Sequence, residues 1–403
     1  MKGLLGPLTL QSCFAVVLLA GAASCGGAEK LDRGAPDAER DIATDDAADG
    51  GSSSDDATDP DTTNGQDGPI EQDAAADGPS GTCRWEQVIV GSEVPPIRLL
   101  VPDLANDRLV IVGLEGRTGA VVLGTAPRAV QLPALGELPP QSDDTALVLD
   151  RKRRRVLLHG GWSEGAASSR VFSMTLDATP VWSVIATSGD APARLGHGAA
   201  MDEQGQRMFV FGGFRDNMGL KDNDTHVLSF DATPTPTWSI MPVNEPKPAG
   251  RSRHRTTWDA TRRRMLIRGG MAETITYDMW ALTPDPAPAW VELAPGLALP
   301  TFRQRNSAGS DVHDPIGDAW LVIGENRMPS PIGSRLDVFR MPLQEPQRGF
   351  SALPAENAPP NSGVDEFGAA TYDESSDRLY VGVNGYSGGW PNQIWVLPLA
   401  GCR

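Results

Sequence analysis

From residue 97 to its end the chain moves in short apolar bursts separated by turns rich in Gly, Pro and Asp. Within a burst the apolar positions either run together, as in "RMFVFGG", or alternate with polar ones, as in "DTHVLSFD". Both patterns predict short strands. No stretch sustains the 3.6-residue apolar period of an amphipathic helix. The chain is expected to be all-β.

The bursts repeat in a fixed register: an Asp, four residues, then Arg leading an apolar run. The register appears as "DLANDRLVIVG" from Asp103, "DRKRRRVLLHGG" from Asp150, "DEQGQRMFVFGG" from Asp202, "DATRRRMLIRGG" from Asp259 and "DESSDRLYVGVNG" from Asp373. A sixth copy, "DVHDPIGDAWLVIGE", is read from Asp311, with three extra residues and Ala319 in place of the Arg. Each unit supplies four strands. One leads into the Asp and a second ends in glycine. A third follows a variable loop, as in "YDMWALT" or "LDVFRMPL". The fourth sets an aromatic three residues before an apolar one, as in "WSVI", "WSIM", "WVEL" and "FSAL". One such sheet cannot cover both its faces, whereas copies stacked around an axis can.

The glycine pairs at 160–161, 212–213 and 269–270, the aromatics of strand three and the Trp of strand four resemble the kelch repeat. The resemblance spans the chain from about residue 81, is strongest in the second to fourth units, and implies a six-bladed kelch-type β-propeller over 81–403. The last unit stops after three strands, "EFGAATYD", "RLYVGVN" and "QIWVLPL". The orphan strand "CRWEQVIV" at 83–90 has the spacing of a fourth, so it is expected to complete the last blade. The cut link between strands three and four then carries Cys402 at one loose end and Cys83 at the other, and the two are expected to form a disulfide in an exported protein.

Charge changes the picture at the other end of the chain. The formal charge is −17, yet 16 acidic residues against Lys30, Arg33 and Arg40 fall between Ala28 and Ser80, which leaves the remainder nearly neutral. No basic footprint for nucleic acid exists. Residues 26–80 contain almost no large apolar side chain and are expected to form a disordered acidic tether. Residues 1–24 read as an export signal, with Lys2 ahead of an apolar run broken by Pro7. The ending "AASC" resembles a bacterial lipobox with Ala22 in place of its usual Leu, which makes Cys25 the expected site of acylation and the first residue of the tether. Ordinary cleavage near Ala22 or Ala23 is the rival reading. Gly26 resembles a signal for release to an outer membrane, so the expected location is the bacterial cell envelope, lipid-anchored at the outer membrane or cell surface.

The chemistry-bearing patterns mostly dissolve. "GWSEG" around Ser163 matches a nucleophile elbow but lies between two strands rather than at a strand-to-helix turn. "DND" at 222–224 lacks the later residues of a calcium loop, and no Cys or His pair has zinc spacing. The copper oxidases related to galactose oxidase need a Tyr–Cys crosslink, for which no cysteine remains. No metal or cofactor is expected. What stands out are arginines counted back from the turn Asp: Arg194, Arg251 and Arg303, then Arg253 and Arg305, then His197, His254 and Asn306. With Trp162, Phe214, Tyr386 and Trp390 from the loops between strands two and three, these residues would ring one mouth of the channel and suit an anionic ligand such as an acidic glycan or peptide. The alternative is that Arg and His recur there as structural groups of the repeat. On the opposite face "RKRRR" at 151–155 and "RRR" at 262–264 read as solvated turns, with contact to anionic headgroups, surface polysaccharide or the acidic tether as the alternative. The sequence therefore favours a monomeric, non-catalytic binding module on an envelope lipoprotein. A propeller enzyme acting on acidic sugars and a structural envelope protein remain as rivals.

Overall fold

The computed structural model describes residues 83–403 except 92, 134, 141, 143, 216–218, 220, 232–234, 298–310, 327–334, 360–366 and 386–391. The chain divides into units Met1–Asp73 and Ala74–Arg403, and the described residues belong to the second. The export signal, the tether and Cys25 lie outside them, as do Arg303, Arg305, Asn306, Tyr386 and Trp390.

Six antiparallel sheets follow one another along the chain, each a blade whose strands run from the axis outward in sequence order. Blade 1 is Leu99–Asp103, Arg108–Val112, Thr118–Val122 and Arg128–Leu132. Blade 2 is Ala146–Asp150, Arg155–His159, Val171–Thr175 and Val181–Ile185, and Leu135–Gly136 adds a parallel edge. Blade 3 is Gly198–Asp202, Arg207–Phe211, Thr225–Ser229 and Thr237–Met241. Blade 4 is Arg255–Asp259, Arg264–Met271, Ile275–Thr283 and Ala289–Glu292. Blade 5 is Asp311–Asp314, Ala319–Asn326, Arg335–Pro342 and Ser351–Ala352. Blade 6 takes Phe367–Asp373, Arg378–Val383 and Asn392–Pro398 from the end of the chain and Glu86–Gly91 from the start of the described region.

The continuous apolar bursts occupy the second strand of each blade because that strand is covered on both sides. In blade 1, Leu109 and Ile111 pack against blade 6, while Val110 and Val112 pack against blade 2. In blade 5, Leu321 and Ile323 face blade 6, and Trp320 and Val322 face blade 4. The core is thus six layers, one between each pair of successive blades. Each layer exists only because two blades meet, which is why no blade is stable alone.

Ring closure follows the expected route. Glu86–Gly91 pairs with Asn392–Pro398, and Trp85, 1% exposed, enters the layer between blades 5 and 6. Cys83 and Cys402 form a disulfide with Cα atoms 4.6 Å apart.

One register is corrected. The turn Asp of blade 5 is Asp314, not Asp311: Asp314 pairs across the hairpin with Ala319 as Asp150 does with Arg155. There is no insertion, and Asp311 sits three residues earlier on the strand. Counted from Asp314, the positions equivalent to Arg194 and Arg251 in blade 5 pass from Arg303 to Asn306. The Arg missing at Ala319 is replaced from a distance. The guanidinium of Arg403 reaches both oxygens of Asp314 at 2.9 Å and also bonds Asp377. It takes the place that Arg108, Arg155, Arg207 and Arg264 hold on the turn Asp of their own blades. The last two residues of the chain therefore close the ring twice, once covalently and once as an ion pair.

Candidate functional site

The loops that enter each innermost strand dock on the glycine pair of the preceding blade. Gly161 N–H donates to the Arg194 carbonyl at 2.7 Å and Gly213 N–H to the Arg251 carbonyl at 2.8 Å. Gly212 has φ +68, and a Cβ there would lie 2.3 Å from the Arg251 oxygen. The glycines are needed because the next blade's backbone occupies the space of a side chain.

With its backbone fixed in this way, each loop arginine turns into its own blade. Arg251, 1% exposed, places Nη1 and Nη2 on Asp278, at 2.5 and 2.8 Å, and bonds the Gly269 and Ala249 carbonyls. Burial works against the charge on Asp278, yet bonds from Arg251 and Trp280 outweigh it and hold the carboxyl below its ordinary range. Arg194, 5% exposed, ion-pairs with Asp222 and contacts His226 Nε2 at 3.1 Å. Asp222 also takes Arg215 at 2.7 Å. Despite burial, bonds from His226, the Asp224 amide and the cations keep Asp222 ionised far into acid. Strand alignment pairs Asp224 with Asp278, so it would have assigned Asp224 to Arg194; the partner is instead two residues earlier. Both arginines are thus sunk in the blade and paired with its carboxylates, although Arg194 Nε has no hydrogen-bond partner among the described residues.

The histidines are deeper still. His197 Nε2 lies 3.0 Å from His159 Nδ1, edge-on between blades 2 and 3, with Trp238 beside them. His254 packs on Phe211, and neither ring nitrogen has a hydrogen-bond partner. Burial holds all three well toward the neutral form, His159 and His254 down to about 3. His159 was not singled out in the sequence, because the strand-two position it occupies gives no signal without its partner across the blades.

Arg253 differs. It sits in the left-handed region (φ 55), as do Asp144 (φ 59) and Gly196 (φ 62) at the same position of the loops entering blades 2 and 3. These loops bond to one another around the rim: Gly196 N–H to the Asp144 carbonyl at 2.8 Å, and Arg253 N–H to the Gly196 carbonyl at 2.7 Å. Because Gly196 has no side chain, Arg253 passes over it and reaches Asp144 at 3.1 Å, two blades away. Its side chain keeps 38% exposure. Trp162 and Phe214 are half-buried, and Phe214 lies 5.7 Å from the Lys221 ammonium. The blade 4 hairpin adds an apolar pair that sequence reading did not select, Ile275 and Tyr277, 51% and 49% exposed.

At the other end of the axis the innermost strands enclose a cavity of about 720 Å³, lined by Leu99, Leu149, Thr257 and Thr371 among others, with Glu203 and Glu374 beside its opening. The basic turns there are largely bonded to acids. Arg154 bonds Asp103 of the preceding blade, Arg263 bonds Asp202, and Arg262 holds Asp318 of the next blade. They stitch neighbouring blades, while Arg151 pairs with Glu203 at the exposed rim. Among the described residues no group of three or more His, Cys, Asp or Glu could hold a metal ion.

Comparison with known proteins agrees with this architecture. The chain is 27% identical over 259 residues to the mouse (Mus musculus) protein named multiple epidermal growth factor-like domains protein 8. The match covers 61% of this chain and 9% of that protein's length. The sequence profile of the KLHDC2/KLHL20/DRC7 Kelch-repeats domain matches residues 126–328, half of the chain, from the last strand of blade 1 through blades 2 to 4 to the second strand of blade 5. The chain belongs to the kelch-repeat family.

Proposed function

We propose that this propeller is a non-catalytic interaction module, held in a bacterial envelope by a lipid on Cys25, and that it binds an acidic segment of a partner at the rim formed by the loops entering the innermost strands. A kelch propeller is a protein-interaction module at the coarse level. The observation that carries the finer reading is the division among the arginines. Arg194 and Arg251 are buried and each paired with a carboxylate of its own blade, while Arg253 stands at the rim with a partly exposed guanidinium and a single partner. Arg215, 53% exposed and following strand two of blade 3, and the apolar pair Ile275 and Tyr277 of the blade 4 hairpin supply further exposed contacts. A mixed basic and aromatic rim favours an acidic, partly apolar stretch of chain.

The test compares two arginines of one loop. Arg253→Ala should leave the melting temperature within about 1 °C, since a half-exposed pair contributes under about 1 kcal/mol. It should also abolish capture of a partner that the full-length wild type retains from an envelope extract. Arg251→Ala removes the buried cation from Asp278, which is itself 25% exposed, and should cost about 1–3 kcal/mol of stability. Equal capture by wild type and Arg253→Ala would remove the rim from consideration.

Anchoring is tested separately. Cells fed a clickable fatty acid should label the wild type and not Cys25→Ala. Unlabelled wild type, or equal label on both, would end the lipoprotein reading.

A further inference from the structure

The innermost strands leave a cavity of about 720 Å³ on the axis, open between the turns that join strands one and two. Close packing fills an interior only where side chains meet, and Ala199, Thr257 and Thr371 put short side chains on this wall. The lining has two kinds of chemistry. Leu99 of blade 1 and Leu147 and Leu149 of blade 2 are apolar side chains left partly exposed. Thr257 of blade 4 and Thr371 of blade 6 add hydroxyl groups, and among the described residues neither hydroxyl has a hydrogen-bond partner.

The mouth of the cavity is acidic. In blades 1 to 5 the turn Asp holds an arginine: Asp103, Asp150, Asp202 and Asp259 that of their own blade, and Asp314 the guanidinium of Arg403. Asp373 of blade 6, 4% exposed, instead accepts bonds from the Ser375 amide at 3.0 Å, the Ser375 hydroxyl at 2.9 Å and the Ser376 hydroxyl. Serine donors satisfy its oxygens without cancelling its charge, and among the described residues no cation pairs with it. Glu374 follows it, exposed at the opening and also without an ion pair among the described residues. Glu203 of blade 3 has Arg151 at 3.7 Å, yet burial pushes its carboxyl above the ordinary range against the pull of that cation. Like charges gathered at the mouth of a low-dielectric cleft focus their field on an entering ligand of opposite sign.

We infer that this cavity is a second binding site, for a small amine with an apolar body, whose body lies against Leu99, Leu147 and Leu149 and whose ammonium stands at the mouth with Glu203 and Glu374. The volume falls within the roughly 300–1,000 Å³ of small-ligand sites, which typically combine an apolar wall with a few polar groups. The free hydroxyls of Thr257 and Thr371 supply hydrogen bonds inside, and the carboxylates select the sign of the charge. This site lies at the other end of the axis from Arg253 and takes the opposite charge, so it does not depend on what the rim binds.

The experiment titrates the full chain with three probes that share one apolar body: tryptamine (cationic), tryptophol (neutral) and indole-3-propionate (anionic). Tryptamine should bind the wild type at pH 7 and raise its melting temperature. Tryptophol should bind about tenfold more weakly, as expected for loss of a charge-assisted contact, and indole-3-propionate more weakly still. The double variant Glu203→Gln/Glu374→Gln should bind tryptamine about tenfold more weakly and tryptophol as the wild type does. Ala199→Trp, which fills the cavity, should lose both probes, and Arg253→Ala should lose neither. The inference falls if tryptamine does not bind the wild type, or if indole-3-propionate binds as tightly. It falls equally if the double variant keeps full affinity for tryptamine, or if a folded Ala199→Trp protein does. Should Ala199→Trp not fold, the double variant and the ranking of the three probes decide. Tryptamine binding lost in Arg253→Ala would move the amine to the rim and overturn the cavity site, whereas failure of the rim to capture a partner leaves it standing.

Discussion

Lowering the pH from 7 to 5 is expected to remove about 5–6 kcal/mol of folding stability, most of it through three histidines. His159, His197 and His254 are buried, and burial holds each neutral in the fold, with His159 and His254 down to about 3 against an ordinary value of 6.5. In the unfolded chain the same rings take up protons as the pH drops below about 6.5. The folded chain binds fewer protons than the unfolded one throughout that window, so stability is complete above pH 6.5 and declines toward about 3. Each ring contributes about 2 kcal/mol by pH 5. His159 and His197 share a 3.0 Å contact, so protonating one opposes protonating the other. The carboxylates paired with Arg194 and Arg251 act later: Asp222 and Asp278 are held below their ordinary range and give way only in stronger acid. Urea unfolding at pH 7 and pH 5, repeated with His254→Leu, measures the effect. The variant should lose about a third of the pH-dependent difference. An acid response that was the same in wild type and in leucine variants of all three histidines would show that these rings are not its source.

Breaking the Cys83–Cys402 bond is expected to be comparable in size. The bond closes 319 residues of sequence separation, for which the chain-entropy relation gives a nominal 5–6 kcal/mol, with native disulfides delivering about 2–5. The last blade is where that loss should appear. Its outer strand Glu86–Gly91 and its neighbour Asn392–Pro398 come from opposite ends of the folded region, so their pairing, the Gln87–Gln393 bond and the packing of Trp85, Val88 and Ile89 would then hold them together without a covalent link. The double variant Cys83→Ser/Cys402→Ser should unfold at lower urea, with early loss of amide protection in Glu86–Gly91. Adding Arg403→Ala should deepen the loss by about 1–3 kcal/mol, because the buried carboxylate of Asp314 is left without its cation. Unchanged midpoints in the serine variant would show that the sheet, and not the disulfide, closes the ring.

Much of this protein is determined by its sequence, and the reason is repetition. The Asp-x4-Arg register, the glycine pairs and the strand-four Trp each mark one place in a blade, so six imperfect copies report the same geometry several times over. The orphan strand before Val90 and the missing one after Leu399 complement one another, which is why the closing blade and its disulfide were legible. The register failed once, at Asp311, where two aspartates three residues apart compete and the Arg that would have decided between them is absent. Only the fold supplies the replacement, since Arg403 is remote in sequence and adjacent in space. The same holds for the site. Sequence grouped Arg194, Arg251 and Arg253 as one set because they share spacing, but spacing carries no information about what a side chain meets. Packing separates them: Asp222 and Asp278 pair with two of the guanidiniums inside the blades, and Gly196 lets the third pass over it to the rim. Local periodicity is written into a strand, whereas the pairing of buried charges is decided between blades, and it exists only once the ring has closed.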